Sequence, residues 1–138
     1  MRIESEQLGP QEIPQESVIR FPHGIVGFPG ADRFCVLEVK PGSRFKLLQS
    51  TQRPDLAFVV TDPLLVDASY PVDMVHRLGT ELGLDPDEPI AVAAIVCIPG
   101  APKRPSANLL APVAIGARTQ IGVQVVLHDS PYQVRHAL

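Results

Sequence analysis

Residues 121–128 read Ile121-Gly122-Val123-Gln124-Val125-Val126-Leu127-His128. Ile121, Val123, Val125 and Leu127 alternate with Gly122, Gln124, Val126 and His128, giving one firmly apolar face. That spacing is the signature of a half-buried strand. Upstream, Ile90–Ile98 is apolar on both faces and predicts a central strand covered on both sides. Shorter apolar runs predict further strands at Ser17–Phe21, Arg33–Val39, Phe45–Ser50, Leu56–Thr61 and Val113–Ile115, with Arg2–Gln7 as a short edge strand. Fifteen prolines and ten glycines interrupt the chain throughout. They break long helices and favour short strands joined by turns. One segment reads as helix: Val72, Val75, Leu78 and Leu82 recur at helical spacing behind Pro71, a residue well suited to a first helical position. Gly79 and Gly83 weaken its second half, so only one or two turns are expected. The predicted fold is all-β, a mainly antiparallel barrel-like structure with one short helix near residues 71–82.

With no linker, repeat or low-complexity tract, residues 1–138 are expected to form a single domain. Hydrophobic residues make up 45% of the chain and tryptophan is absent, so aliphatic side chains must supply most of the core. The first sixteen residues are more polar and are expected to be partly mobile. The formal charge of −3 disfavours a nucleic-acid binder, because phosphate contacts need clustered cations. The close basic pair Lys103-Arg104 is too small a cluster to change that. No apolar run approaches the ~18 residues of a membrane span, and the N-terminus lacks a secretory apolar core. Cys35 and Cys97 both lie in apolar segments and read as two reduced core thiols, which points to the cytoplasm.

A search for reactive chemistry returns little. His23, His76, His128 and His136 fall in no metal-ligand spacing, so neither a metal nor another cofactor is expected. His128-Asp129-Ser130 holds the three residue types of a hydrolase, but neighbours on a strand point to opposite faces, and Asp129-Ser130-Pro131 reads as a turn. Gly24, Gly27 and Gly30 match no phosphate-binding loop and read as turn glycines, with Phe21 and Phe28 as core plugs beside them. Phe58 reads as core. Glu81, Asp85, Asp87 and Glu88 make an acidic loop, either simply solvated or an electrostatic landing surface for a basic partner. Three classes of function stay open on these grounds: a protein-binding regulator, a small-molecule-binding barrel or enzyme, and a structural subunit. The second would need a cavity of about 300 Å³ or more holding His23, His128 or His136.

Several segments taken together resemble the FliW family. Ile19-Arg20-Phe21-Pro22-His23-Gly24-Ile25-Val26-Gly27-Phe28 is similar to its opening, as are Arg2-Ile3 and Leu8-Gly9 to its start. Leu48-Gln49-Ser50 follows, then Ala57-Phe58-Val59-Val60-Thr61-Asp62-Pro63 and Tyr70. Ile98-Pro99, Asn108-Leu109-Leu110-Ala111-Pro112, Gln124-Val125-Val126-Leu127 and the closing Tyr132-Gln133-Val134-Arg135-His136-Ala137-Leu138 complete the order. The resemblance spans essentially the whole chain.

It implies a β-barrel with a short helix and a non-enzymatic partner switch in flagellar assembly. Proteins of this family bind CsrA, a dimeric RNA-binding translational repressor, and also bind flagellin. Flagellin retained in the cytoplasm occupies the factor and leaves CsrA free to repress; export releases the factor and relieves repression. The resemblance favours an allosteric form of antagonism. Two departures stand out. Many relatives run past the closing motif with a short charged tail, whereas this sequence ends at Leu138. The stretch around Lys103-Arg104-Pro105-Ser106 also carries more proline and positive charge than the family pattern.

Partner contacts are expected at Asn108, Leu109 and Leu110 in their proline-bounded loop, since exposed leucines mark binding surfaces. Leu109 and Leu110 could equally plug the barrel end. Gln49 and Ser50, at the end of a strand, are expected either to face solvent and a partner or to cap a turn. Asp85, Asp87 and Glu88 complete the set through charge.

Overall fold

The polar N-terminus forms a hairpin, β1 (Arg2–Ser5) against β2 (Gly9–Glu12), in the computed structural model, which describes residues 1–138. Its Ile3 and Ile13 are buried against Cys35, Leu37 and Leu47. The segment is therefore an ordered cover, where its polarity had suggested a partly mobile arm. It joins no other strand, so it is not an edge of the main sheet. Two buried isoleucines contribute roughly 1.5–3 kcal/mol each, enough to hold such a hairpin down.

The main sheet is built from β3 (Ile19–Arg20), β4 (Arg33–Glu38), β5 (Phe45–Ser50), β6 (Ala57–Thr61), β7 (Ile90–Cys97), β8 (Ser106–Ala107), β9 (Val113–Gly116), β10 (Gly122–Gln124) and β11 (His136–Ala137). Its order is β10-β9-β7-β6-β5-β4-β3, and every neighbouring pair is antiparallel. On the edge that faces β9, the far end of β7 pairs instead with β8, and β11 lies outside β8. The sheet curls until its two ends meet. The Arg20 N–H donates to the Gln120 carbonyl at 3.0 Å, beside a single parallel bridge between Arg20 and Ile121. The barrel-like shape thus closes through one bridge and not through a full ladder.

One face of this sheet carries Phe21, Phe34, Leu48, Val60 and Val113, packed as one cluster. The opposite face is covered at β4 and β5 by the N-terminal hairpin. At β7 and β9 it is covered by the helix α1 (Val72–Glu81) and the segment after β10. Strand β7 touches both clusters: Ala94 and Val96 pack toward the helix, Ala93 and Ile95 toward the phenylalanines. Its ends are not covered. Ala91, Cys97 and Ile98 are exposed, and β6 pairs no further along β7 than Val96. Cys97 is therefore a surface thiol, which corrects its reading as core, while Cys35 is buried.

The alternation in residues 121–128 holds although formal pairing stops at Gln124. Val123, Val125 and Leu127 are each at most 2% exposed. The Val125 and Leu127 N–H groups still donate, to Pro112 and Leu110 carbonyls at 3.0 and 2.8 Å. Gly122 is required by packing, since a Cβ there would lie 2.5 Å from the ring of Phe21. Gly79 plays the same part in the helix, where a Cβ would lie 2.6 Å from Leu84 Cδ1. The glycine expected to weaken the helix is what lets Leu84 close over it, and the helix runs ten residues.

Candidate protein-docking surface

The chain leaves β6 through one 3-10 turn, Pro63–Leu65. Asp62 caps it, its Oδ1 accepting from the Leu64 N–H at 2.9 Å. Pro63 suits the first position because it has no N–H to leave unpaired, and its ring is buried. With Pro63 turned inward, Leu64 and Leu65 stand outward at 42% and 60% exposure. They wall an open groove of about 530 Å³. Val60, Ala91, Ala93 and Ile115 line it, with Val36 of β4. Val60 and Ile115 belong to the phenylalanine cluster, so the groove is the uncovered continuation of that core. Its rim bears Ser43, Arg44, Lys46 and Asp62. Lys46 Nζ lies 4.0 Å from Glu38 Oε1, and the Arg44 guanidinium sits 5.0 Å above the Phe45 ring. The groove offers apolar area edged by charge, the composition of a surface that receives a side chain of another protein.

Asn108–Pro112 is the excursion made between β8 and β9, and neighbouring segments hold it on every side. Leu109 is fully buried, and its carbonyl accepts from the Tyr70 hydroxyl at 2.5 Å. The Leu109 and Leu110 N–H groups donate to the Gln133 carbonyl at 3.1 and 3.3 Å, and Gln124 Nε2 donates to the Ala111 carbonyl at 3.0 Å. Asn108 Oδ1 accepts from the Ala111 N–H at 3.0 Å, closing the turn. Of the two readings of the leucines, Leu109 takes the core plug, while Leu110 and Asn108 remain half-buried.

Gln49 and Ser50 are fully buried, which leaves them no surface to offer a partner and corrects that reading. Gln49 Nε2 points at the carbonyls of Ser50, Leu56, Arg53 and Pro54, at 3.0, 3.1, 3.2 and 3.4 Å. Ser50 Oγ accepts from the N–H groups of Gln52 and Arg53. Together they build the turn that joins β5 to β6.

The acidic loop is likewise reduced as a landing surface. Glu88 is 2% exposed, so it too is corrected as a contact residue. Its Oε1 accepts from Thr119 Oγ1 at 2.9 Å, and its Oε2 lies 3.7 Å from Arg118. Asp85 pairs with the same Arg118. Asp87 is the member of the three left exposed and outside any ion pair.

The turn reading of Asp129-Ser130-Pro131 agrees with the geometry: Asp129 has φ +59°, and Ser130 Oγ donates to the Leu127 carbonyl at 2.6 Å. A hollow of about 490 Å³ does hold His23, beside Val26, Leu82 and Gln124. His23 is its one titratable lining residue, and its Nε2 faces the Leu82 carbonyl at 3.2 Å. General acid–base work needs a second group converging on the same space. A further polar link ties the C-terminal segment to the turn before the helix: Tyr132 donates to Asp67 Oδ2 at 2.8 Å. The Ser69 N–H, then the Tyr132 hydroxyl, hold the Asp67 carboxyl below its ordinary pKa, aided by the charge of His136.

Sequence reasoning missed Leu64 and Leu65. Their signal was present in Asp62-Pro63, a cap and first-turn pair followed directly by two leucines.

Residues 2–138 match the family model described as FliW protein. A flagellar assembly factor FliW of Desulfitobacterium hafniense is 35% identical over 138 residues, covering all of this chain and 91% of that protein. One from Bacillus subtilis is 32% identical, covering all of this chain and 96% of its own length. A crystal structure of a flagellar assembly factor FliW superposes with a TM-score of 0.87 at 28% identity, over 99% of this chain and 96% of that one.

Proposed function

This chain belongs to the FliW family, and we propose that it serves flagellar assembly in the cytoplasm as a protein-binding regulator, taking CsrA at the groove beside Leu64 and Leu65 and giving it up to flagellin. The observation that carries this reading is the groove itself. It extends the phenylalanine core to the surface, leaves two leucines uncovered and is lined by no histidine or cysteine. A switch between partners needs apolar contact area and no reacting group. No helix is long and apolar enough to cross a membrane.

Antagonism of CsrA follows if binding at this groove disfavours the RNA-bound form of CsrA. Such couplings are typically about 1–3 kcal/mol and reciprocal, so RNA must weaken this protein's hold on CsrA by the same factor. Flagellin relieves the antagonism by occupying the protein first.

The test is calorimetric titration of the chain with CsrA and with flagellin, separately and in sequence. Saturable binding of CsrA that prior flagellin abolishes supports the switch. The double substitution Leu64→Ser, Leu65→Ser should abolish CsrA binding in a protein that stays folded. Undiminished CsrA binding by that variant would move the site elsewhere, and binding of neither partner by the folded parent would end the reading.

A further inference from the structure

Cys97 of β7 pairs with Ser106 of β8, and Ser106 pairs with Ala137 of β11. Directly paired residues on adjacent strands point to the same face, so these three small side chains form one cross-strand row. Arg135 lies two positions before Ala137 and on the same side of the chain. Lys103 and Arg104 come from the loop between β7 and β8. All six residues line one trough of about 240 Å³. Its small side chains make a low floor, and its walls carry three cations.

None of these cations is neutralised. The ion pairs of this protein engage Arg2, Lys46, Arg53, Arg118 and the N-terminal amine, and leave out Lys103, Arg104 and Arg135. All three are exposed. In a chain of net charge −3, three unpaired cations around one depression form a local field opposite in sign to the rest. The backbone points the same way. β11 is paired on one side only, with β8, so its outer edge has no strand partner. Ile98 and Val134, 61% and 54% exposed, lie on the segments that flank the trough.

We propose that this trough binds an acidic, extended segment of a protein partner, which lies along β11 and places its carboxylates on Lys103, Arg104 and Arg135. A peptide fits better than a nucleic acid. The footprint is three cations wide, no aromatic side chain lines it to stack a base, and the surrounding charge is negative. The trough shares no lining residue with the apolar groove, and a smaller hollow of about 140 Å³ lies between its Ala137 and the groove residues Arg44 and Leu65.

Cys97 on the trough floor provides the readout, with buried Cys35 as an internal control. The rate of Cys97 alkylation by iodoacetamide would be followed by intact mass on the full chain. The probes are a capped peptide alternating glutamate and valine, the same peptide with lysine in place of glutamate, and a single-stranded oligonucleotide. The acidic peptide should slow alkylation several-fold, and added salt should reverse the effect. The lysine peptide should not slow it. Protection should vanish in Lys103→Glu/Arg104→Glu/Arg135→Glu and persist in the groove variant Lys46→Glu. If the triple variant misfolds, as exposure of Cys35 would reveal, Arg135→Gln alone should still weaken protection. No slowing by the acidic peptide, equal slowing by both peptides, or slowing by the oligonucleotide alone would overturn the proposal.

Discussion

Gly116 leaves vacant the space that the Glu88 carboxylate fills: a Cβ built on Gly116 would overlap Glu88 Oε1. Glu88 is thereby seated under β9 and bonded to Thr119 on the following turn. Gly116→Ala should displace that carboxylate and cost about 1–3 kcal/mol of stability, as overpacking does. Urea denaturation checks this. The double variant Gly116→Ala/Glu88→Ala should cost less than the sum of the two single changes, because the collision is then absent. Strict additivity would mean that the two residues do not share this space.

Tyr70→Phe removes the one donor that reaches the Leu109 carbonyl. Both residues are buried, so the acceptor is left without a partner, at a cost of about 1–3 kcal/mol. The ring pair with Tyr132, at 4.9 Å between centroids, stays in place. A lower urea midpoint with an unchanged slope is the expected result.

Acid should loosen the C-terminal segment before it unfolds the chain. The Ser69 N–H and the Tyr132 hydroxyl lower the folded pKa of Asp67. A lowered folded pKa contributes stability that is fully present above the ordinary carboxylate range and is lost as pH falls through the lowered value. Tyr132→Phe removes one cause and should raise the Asp67 pKa. Titration of Asp67 by carboxyl-detected NMR reads that shift, and the variant's C-terminal segment, untied at every pH, should respond less to acid than the parent's.

The two thiols should differ sharply toward alkylating reagents. Cys97 is exposed, whereas Cys35 is buried and its pKa is pushed up to about 11 by that burial. The reactive species is the thiolate, so Cys35 should react only as the protein opens. Mass spectrometry of native and urea-unfolded samples should show one modification and then two.

Leu64→Ser with Leu65→Ser should lower stability by about 1–2 kcal/mol without unfolding the protein, since both side chains are only about half exposed. Thermal melts of parent and variant check this. It also separates loss of partner binding from loss of fold.

Local pattern carried much of this fold. Period-two alternation located Val123, Val125 and Leu127. Helical spacing behind Pro71 located α1, and the apolar run at residues 90–98 located β7, an interior strand of the sheet. These are properties of a few neighbouring residues, and burial of one face enforces them wherever the strand sits. Leu48-Gln49-Ser50 was legible as a motif, but its role was not. Whether an amide at a strand end meets water or four carbonyls depends on how the next turn folds back over it.

By itself the sequence determined the longer strands, the helix, a mostly aliphatic core and membership of the FliW family, because each is written in residue order, while the short strands β2, β8 and β11 were not legible in it. Tertiary structure alone decided which side chains are available. It buried Gln49, Ser50, Glu88 and Leu109, exposed Cys97, Leu64 and Leu65, and gathered Lys103, Arg104 and Arg135 around one trough. The physical reason is pairing at long range. β8 meets β11, and β7 outruns β6, through backbone hydrogen bonds that any residue can make. The side chains record that register only through what it brings beside them.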